Sequence, residues 1–238
     1  MGRAFEFRKA RKLKRWSSMA KSFTRIGKDI SLAVKEGGPN PESNSRLRAV
    51  IQNAKAANMP KENITRAIKN ASEKSTDNYK EIVLEGYGPH GIAIIIECIT
   101  NNNNRTVANI RSYFNKCNGN LATSGSVEFL FNRYSTFKIE NNVDQDDLEF
   151  ELIDYGLEEI VIDKDKNHLI IYANFDSFGD IQSELEKRNI IIINSGFERV
   201  SKSYKDLNED QKSDIYKLLE MCEGDDDVQN VYHNIGNS

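Results

Sequence analysis

Arg8, Lys9, Arg11, Lys12, Lys14 and Arg15 crowd six cations into a short stretch, and Lys21, Arg25 and Lys28 continue them at helical spacing. Cations repeated along one face, with few acids among them, do one kind of chemistry well: they neutralise a row of phosphates. Asp29 is the main carboxylate placed to form a local i,i+4 pair, so most of this charge has no partner within its own helix. Phe5, Phe7 and Trp16 add rings that can stack on exposed bases. Arg46, Arg48, Lys55 and Lys61 extend the positive field into the following helices. Contact with about 6–8 phosphates would give a log–log salt slope of about −5 to −7. Arg105, at the start of a later helix, opposes the helix dipole. Either a carboxylate holds it, the commoner case, or it is a candidate anion contact.

Other chemistry is thinly represented. Gly86-Tyr87-Gly88-Pro89-His90-Gly91 spells GxGxxG, but a strand rather than a helix follows, and Pro89 removes an amide; the segment reads as a hairpin turn. Asp163, Asp165 and Asn167 copy the opening of a calcium loop. His168 stands where the loop needs Gly and Asn174 where it needs Glu, so a solvated turn is the reading. Asp225-Asp226-Asp227 reads as an acidic loop with weak affinity for divalent ions at most. His90, His168 and His233 share no ligand spacing, and Cys98, Cys117 and Cys222 include no CxxC pair. With no nucleophile elbow, HExxH or Walker A pattern either, the expectation is a protein without catalytic residues, metal or cofactor.

Periodicity supplies the elements that must carry the cations. Met19, Phe23, Ile26, Ile30 and Ala33 form one apolar helical stripe, with Lys21, Arg25, Lys28 and Lys35 on the opposite side, ended by Gly37-Gly38-Pro39. A second helix begins after Ser43 or Asn44 and a third at Pro60, which predicts a three-helix bundle. From Glu81 the period changes to strands: Ile82–Leu84, Ile92–Ile99 and an alternating Val127, Phe129, Phe131, with a helix from about Asn104 to Cys117. Beyond residue 133 the order is βαββαβ, the pattern of a ferredoxin-like unit. The last helix and strand, from Asp210 to Ile235, cannot form a core alone and should return to the sheet of residues 81–132.

The fold class expected is therefore α+β with three domains. A basic arm and three-helix bundle span 1–78, an α+β middle domain spans 79–132 plus 206–238, and an inserted ferredoxin-like domain spans 133–205. The charge follows this division. Residues 1–80 carry 19 Lys+Arg against 7 Asp+Glu, whereas the whole chain has a net charge of −3. Residues 133–207 carry 9 basic and 17 acidic side chains and no basic-aromatic strand of the RNA-recognition type, which favours a protein partner for the acidic part. No run nears the roughly 18–20 apolar residues of a membrane span. Three widely spaced cysteines suit a reducing compartment; the start resembles a transit peptide in being basic and poor in acids, but the apolar period continues into the next helix, so a functional basic arm is the better reading. A cytoplasmic location is expected, with the mitochondrial matrix as the alternative.

Several segments together resemble the YebC family, which includes a mitochondrial translational activator. They are Gly37-Gly38-Pro39-Asn40-Pro41 with Asn44-Ser45-Arg46-Leu47-Arg48, then Ala54 through Ile64, and Glu85-Gly86-Tyr87-Gly88-Pro89. Asn104-Arg105-Thr106-Val107 and Gly119-Asn120-Leu121-Ala122 leading to Gly125-Ser126-Val127 follow in order. The family's usual Gly-His-Ser-Lys-Trp start is absent. The resemblance implies the same three-domain layout and a regulator of gene expression that is not an enzyme. Some members are described as DNA-binding transcriptional regulators and others act in translation. The expectation is thus DNA binding through the basic N-terminal region, with ribosomal RNA as the alternative target and the Met59-Pro60-Lys61 turn as its contact tip.

Overall fold

The computed structural model describes residues 3–73, 78–163 and 167–236, with side chains described from Met19 onward. The fold is α+β: seven α-helices and two separate four-stranded sheets among these residues. Helix α1 (Arg3–Gly37) is 35 residues long, about 52 Å at 1.5 Å per residue. It packs on α2 (Ser45–Ala56) and α3 (Lys61–Glu73) through Phe23, Ile26, Ile30, Ala33, Leu47, Ala54, Met59 and Ile64. The α1 turn ends where Gly38 takes φ +82° and its N–H donates to Val34 O at 2.8 Å. Gly37 has a packing role: a Cβ there would lie 2.7 Å from the Asn44 side chain. Buried Asn44 uses the space to cap α2, accepting from Leu47 N at 2.9 Å and donating to Ala33 O at 2.7 Å.

The first sheet has the order β3-β1-β2-β8, from β1 (Lys80–Tyr87), β2 (Ala93–Thr100), β3 (Asn120–Leu121) and β8 (Val228–His233). All its pairings are antiparallel. Strand β2 is central and buried on both sides, hence its near-continuous apolar sequence Ala93-Ile94-Ile95-Ile96. One face packs under α4 (Asn103–Lys116) and α7 (Glu209–Gly224); the other packs on Val127 and Phe131. The final helix and strand do return to this sheet, with β8 beside β2. In the Gly86–Gly91 hairpin the glycines serve close approach, since a Cβ on Gly88 would meet Ile215 at 2.5 Å.

One strand is corrected. Val127, Phe129 and Phe131 do not alternate along a strand of the first sheet. Glu128–Leu130 is a 3₁₀ turn, and Phe131 begins β4 (Phe131–Glu140) of the second sheet. The reason lies in Glu85, whose buried carboxylate accepts from Gly125 N at 2.6 Å, Val127 N at 2.8 Å and Glu128 N at 2.9 Å. Three amides converging on one acid curl the chain and leave none for a ladder. Burial alone would raise the Glu85 pKa, but these three bonds hold it below the ordinary carboxylate value. Glu85→Gln is expected to lower stability by about 2 kcal/mol, read as a shift of the urea midpoint with unchanged slope.

The second sheet has the order β5-β6-β4-β7, with β5 (Leu157–Asp163), β6 (His168–Asn174) and β7 (Ile192–Ser201). With α5 (Gln145–Leu152) and α6 (Phe178–Lys187) between strands, the element sequence is βαββαβ and the pairings are antiparallel throughout. This is the ferredoxin-like order. Phe137, Ile139, Leu152, Leu169, Ile171, Ile181 and Leu185 form its core. Polar ties join it to the other parts, two of them extensive. The Asn53 side chain exchanges hydrogen bonds with the Ser195 backbone at 2.6 and 2.9 Å. Arg199, 4% exposed, reaches Glu97 on β2 at 2.9 Å and Glu128 at 3.2 Å. Among the described residues no helix is long and apolar enough to cross a membrane.

Candidate nucleic-acid interface

The helical stripe of α1 places Lys21, Arg25 and Lys28 on one face, as the spacing predicts, but that face is partly covered: Lys28 is buried, Arg25 half-buried and Lys21 exposed. It docks against the C-terminal end of α7 and the acidic loop that follows. Lys21 Nζ donates to Gly224 O at 3.2 Å and Arg25 to Glu223 O at 2.6 Å, cations set against the negative end of a helix. Lys28, only 8% exposed, donates to Asp226 O and to Asp227 Oδ1, both at 2.7 Å. Leu32 lies a further turn along the same face and is buried outside the bundle cluster. That apolar residue in line with the cations was the signal in the sequence that the face is covered.

Asp227 is the centre of this contact. Besides Lys28 it accepts from Arg105 at 2.7 Å, Thr106 Oγ1 at 2.8 Å and Thr100 Oγ1 at 3.2 Å. Burial opposes its charge, yet the bonds from Lys28, Arg105 and Thr106 hold its pKa down at about 2. Arg105 is therefore held by a carboxylate, the commoner of the two cases, and the Asp225–Asp227 segment receives cations of this chain. Among the described residues no cluster of His, Cys, Asp or Glu is arranged for a metal.

Arg46 and Arg48 are also engaged. Arg46 pairs with Glu36 at 2.7 Å and with Glu81. Arg48 donates to Pro41 O at 2.9 Å and Glu42 O at 3.1 Å, and lies 3.4 Å from Glu186. Lys55 and Lys61 differ. Both are exposed at the α2–α3 turn, on either side of exposed Pro60, and neither side chain has an ion pair or hydrogen-bond partner among the described residues. The turn is fixed rather than loose: Asn58 takes φ 59°, Met59 N donates to Ala54 O at 2.9 Å, and the Met59 side chain is buried in the bundle. The candidates Arg8, Lys9, Arg11, Lys12, Lys14 and Arg15, with Phe5, Phe7 and Trp16, lie on the α1 backbone, their side chains outside the described residues.

A helical bundle rich in cations, joined to an acidic α+β body of two antiparallel sheets, defines a class of multi-part chains with segregated charge. Comparison narrows this. Residues 3–74 match the family profile described as "TACO1/YebC protein N-terminal domain", and residues 79–235 match "TACO1/YebC second and third domain". The chain belongs to the TACO1/YebC family. Relatives named "Probable transcriptional regulatory protein" include one from Flavobacterium johnsoniae, 65% identical over 98% of both chains. Another, from Porphyromonas gingivalis, is 52% identical over 99% of this chain and 97% of its own. The crystal structure of a conserved hypothetical protein from Aquifex aeolicus is similar with a TM-score of 0.78 and 35% identity, covering 91% of this chain and 90% of that one.

Proposed function

We propose that this chain is a non-enzymatic, cytoplasmic regulator of gene expression that binds duplex DNA through its helical N-terminal part. In this reading residues 1–78 are a binding unit, 79–132 plus 206–238 a middle unit, and 133–205 an inserted one. The observation that carries the reading is the pair of unpartnered, exposed lysines, Lys55 and Lys61, on a turn that the bundle holds rigidly. The names of the relatives support the regulatory role. The arm from Arg8 to Arg15 adds phosphate contacts. Lys21, Arg25, Lys28, Arg46, Arg48 and Arg105 fall outside the contact surface, because carboxylates or carbonyls of this chain already occupy them.

Phosphate contacts of this sort set affinity and register rather than sequence. The double variant Lys55→Glu, Lys61→Glu should bind duplex DNA at least tenfold more weakly, and its log–log salt slope should be shallower by about 2. Gel-shift titrations at several salt concentrations measure both. Unchanged affinity and slope would remove the turn from the interface. Tighter binding to ribosomes than to duplex DNA at matched salt would make ribosomal RNA the target.

A further inference from the structure

A cavity of about 590 Å³ lies where the bundle and the two sheets meet, within the range of small-ligand sites. It is lined by α1 and α2 on one side, β1, β2 and β8 on a second, and β4, β7 and the Phe175–Ser177 turn on the third. Its chemistry is uneven. Phe175 and Phe197, with ring centroids 4.9 Å apart, form an aromatic wall, and the Arg133 guanidinium lies 3.8 Å over Phe175. Arg133 has no carboxylate partner among the described residues. Two buried polar atoms of the lining residues lack any partner: Ser195 Oγ, on a residue 2% exposed, and Gln229 Nε2. Leaving such groups unsatisfied is costly, and a side-chain rotation that turned them toward a ligand would relieve it. Asp29 also borders the space, with no hydrogen bond to its carboxyl among the described residues.

We propose that this cavity is a binding site for a neutral, planar, hydrogen-bonding heterocycle, a nucleobase or nucleoside. Rings and guanidinium planes are the surfaces on which bases stack. Side-chain amides and carboxyls, supplied here by Gln229, Asn230 and Asp29, match the donor and acceptor edges of a base. Charge argues against a nucleotide. Arg46 is already paired with Glu36 and Glu81, which leaves Arg133, stacked on Phe175, as the one lining cation without a carboxylate partner among the described residues, too few for a phosphate beside Glu81 and Glu97. A ligand seated here would touch all three walls and stabilise their arrangement. The inference stands independently of the DNA-binding proposal.

The test is calorimetric titration of the full chain with adenosine, guanosine, cytidine and uridine, repeated on Arg133→Ala, Gln229→Ala and Lys55→Glu, Lys61→Glu. At least one nucleoside is expected to bind with a submillimolar dissociation constant and to raise the melting temperature. Affinity should fall at least tenfold in the two cavity variants and stay unchanged in the lysine variant. Retained melting temperatures of the unliganded variants show that they fold. Absence of binding by all four nucleosides would overturn the proposal, as would equal affinity in the cavity variants or tighter binding of the corresponding monophosphates.

Discussion

Asp227→Ala is expected to destabilise the protein by about 3–5 kcal/mol, the usual cost of leaving a buried charge without its partner. Lys28 is the charge in question: 8% exposed and 2.7 Å from the Asp227 carboxylate. The substitution also strips Thr100, Thr106 and Arg105 of a shared acceptor. Asp227→Asn should cost less, since an amide oxygen still accepts from the two threonines. A second change separates charge from shape: Lys28→Met in the Asp227→Ala background removes the orphaned ammonium and should recover more than half of the loss. Urea unfolding of wild type, Asp227→Ala, Lys28→Met and the double variant completes the cycle. A cost below about 1 kcal/mol for Asp227→Ala would mean that the α1–α7 contact is not held by this pair. The pH dependence has a definite sign. With its pKa lowered from 3.8 to about 2, Asp227 contributes stability that is present above pH 4 and lost as pH falls through 2.

Asp29→Asn is expected to act in the opposite direction and at higher pH. Burial pushes the Asp29 pKa from 3.8 to about 7; Arg46 opposes the shift, while Glu81 and Glu97 reinforce it. The folded state therefore holds this proton more tightly than the unfolded chain does. Stability then falls as pH rises from about 4 to about 7, because the unfolded state binds fewer protons in that window. An asparagine does not titrate, so the variant should be more stable than wild type at pH 8 by about 2–4 kcal/mol, with little difference at pH 4. Unfolding midpoints at the two pH values check this. Equal midpoints at pH 8 would show that the Asp29 carboxyl is solvated.

Much of the architecture could be read from periodicity, because each helix carries one continuous apolar stripe and each boundary has a residue with a local reason. Asn44 caps α2 through Leu47, Gly38 supplies the positive φ after α1, and the capping box of Asn208 and Gln211 opens α7. The βαββαβ order was legible for the same reason, since strands and helices alternate at ordinary lengths. What failed at Val127–Phe131 was a long-range effect: a carboxylate some forty residues earlier in the chain, Glu85, gathers the amides there. No local pattern reports such a partner.

The site was legible as charge but not as exposure. Lysines and arginines at helical spacing look alike whether phosphates or carbonyls await them. The acidic loop that takes up Lys21, Arg25 and Lys28 lies about two hundred residues away in the sequence. Leu32 within the basic face, and a run of three aspartates with no metal-ligand spacing, were the two clues that those charges meet each other. Lys55 and Lys61 stand apart from the dense basic stretch. Isolation is what leaves them free.

In the proposed function the cations divide the labour: those of the α1 face hold the bundle to the body, while those of the α2–α3 turn meet the nucleic acid. Amide hydrogen exchange of the full chain with and without duplex DNA tests it most directly. Added protection over residues 55–64 on binding, with no change over residues 221–228, is the expected result. Loss of protection over residues 221–228, with none gained at the α2–α3 turn, would contradict it by showing that the DNA displaces the acidic loop from α1.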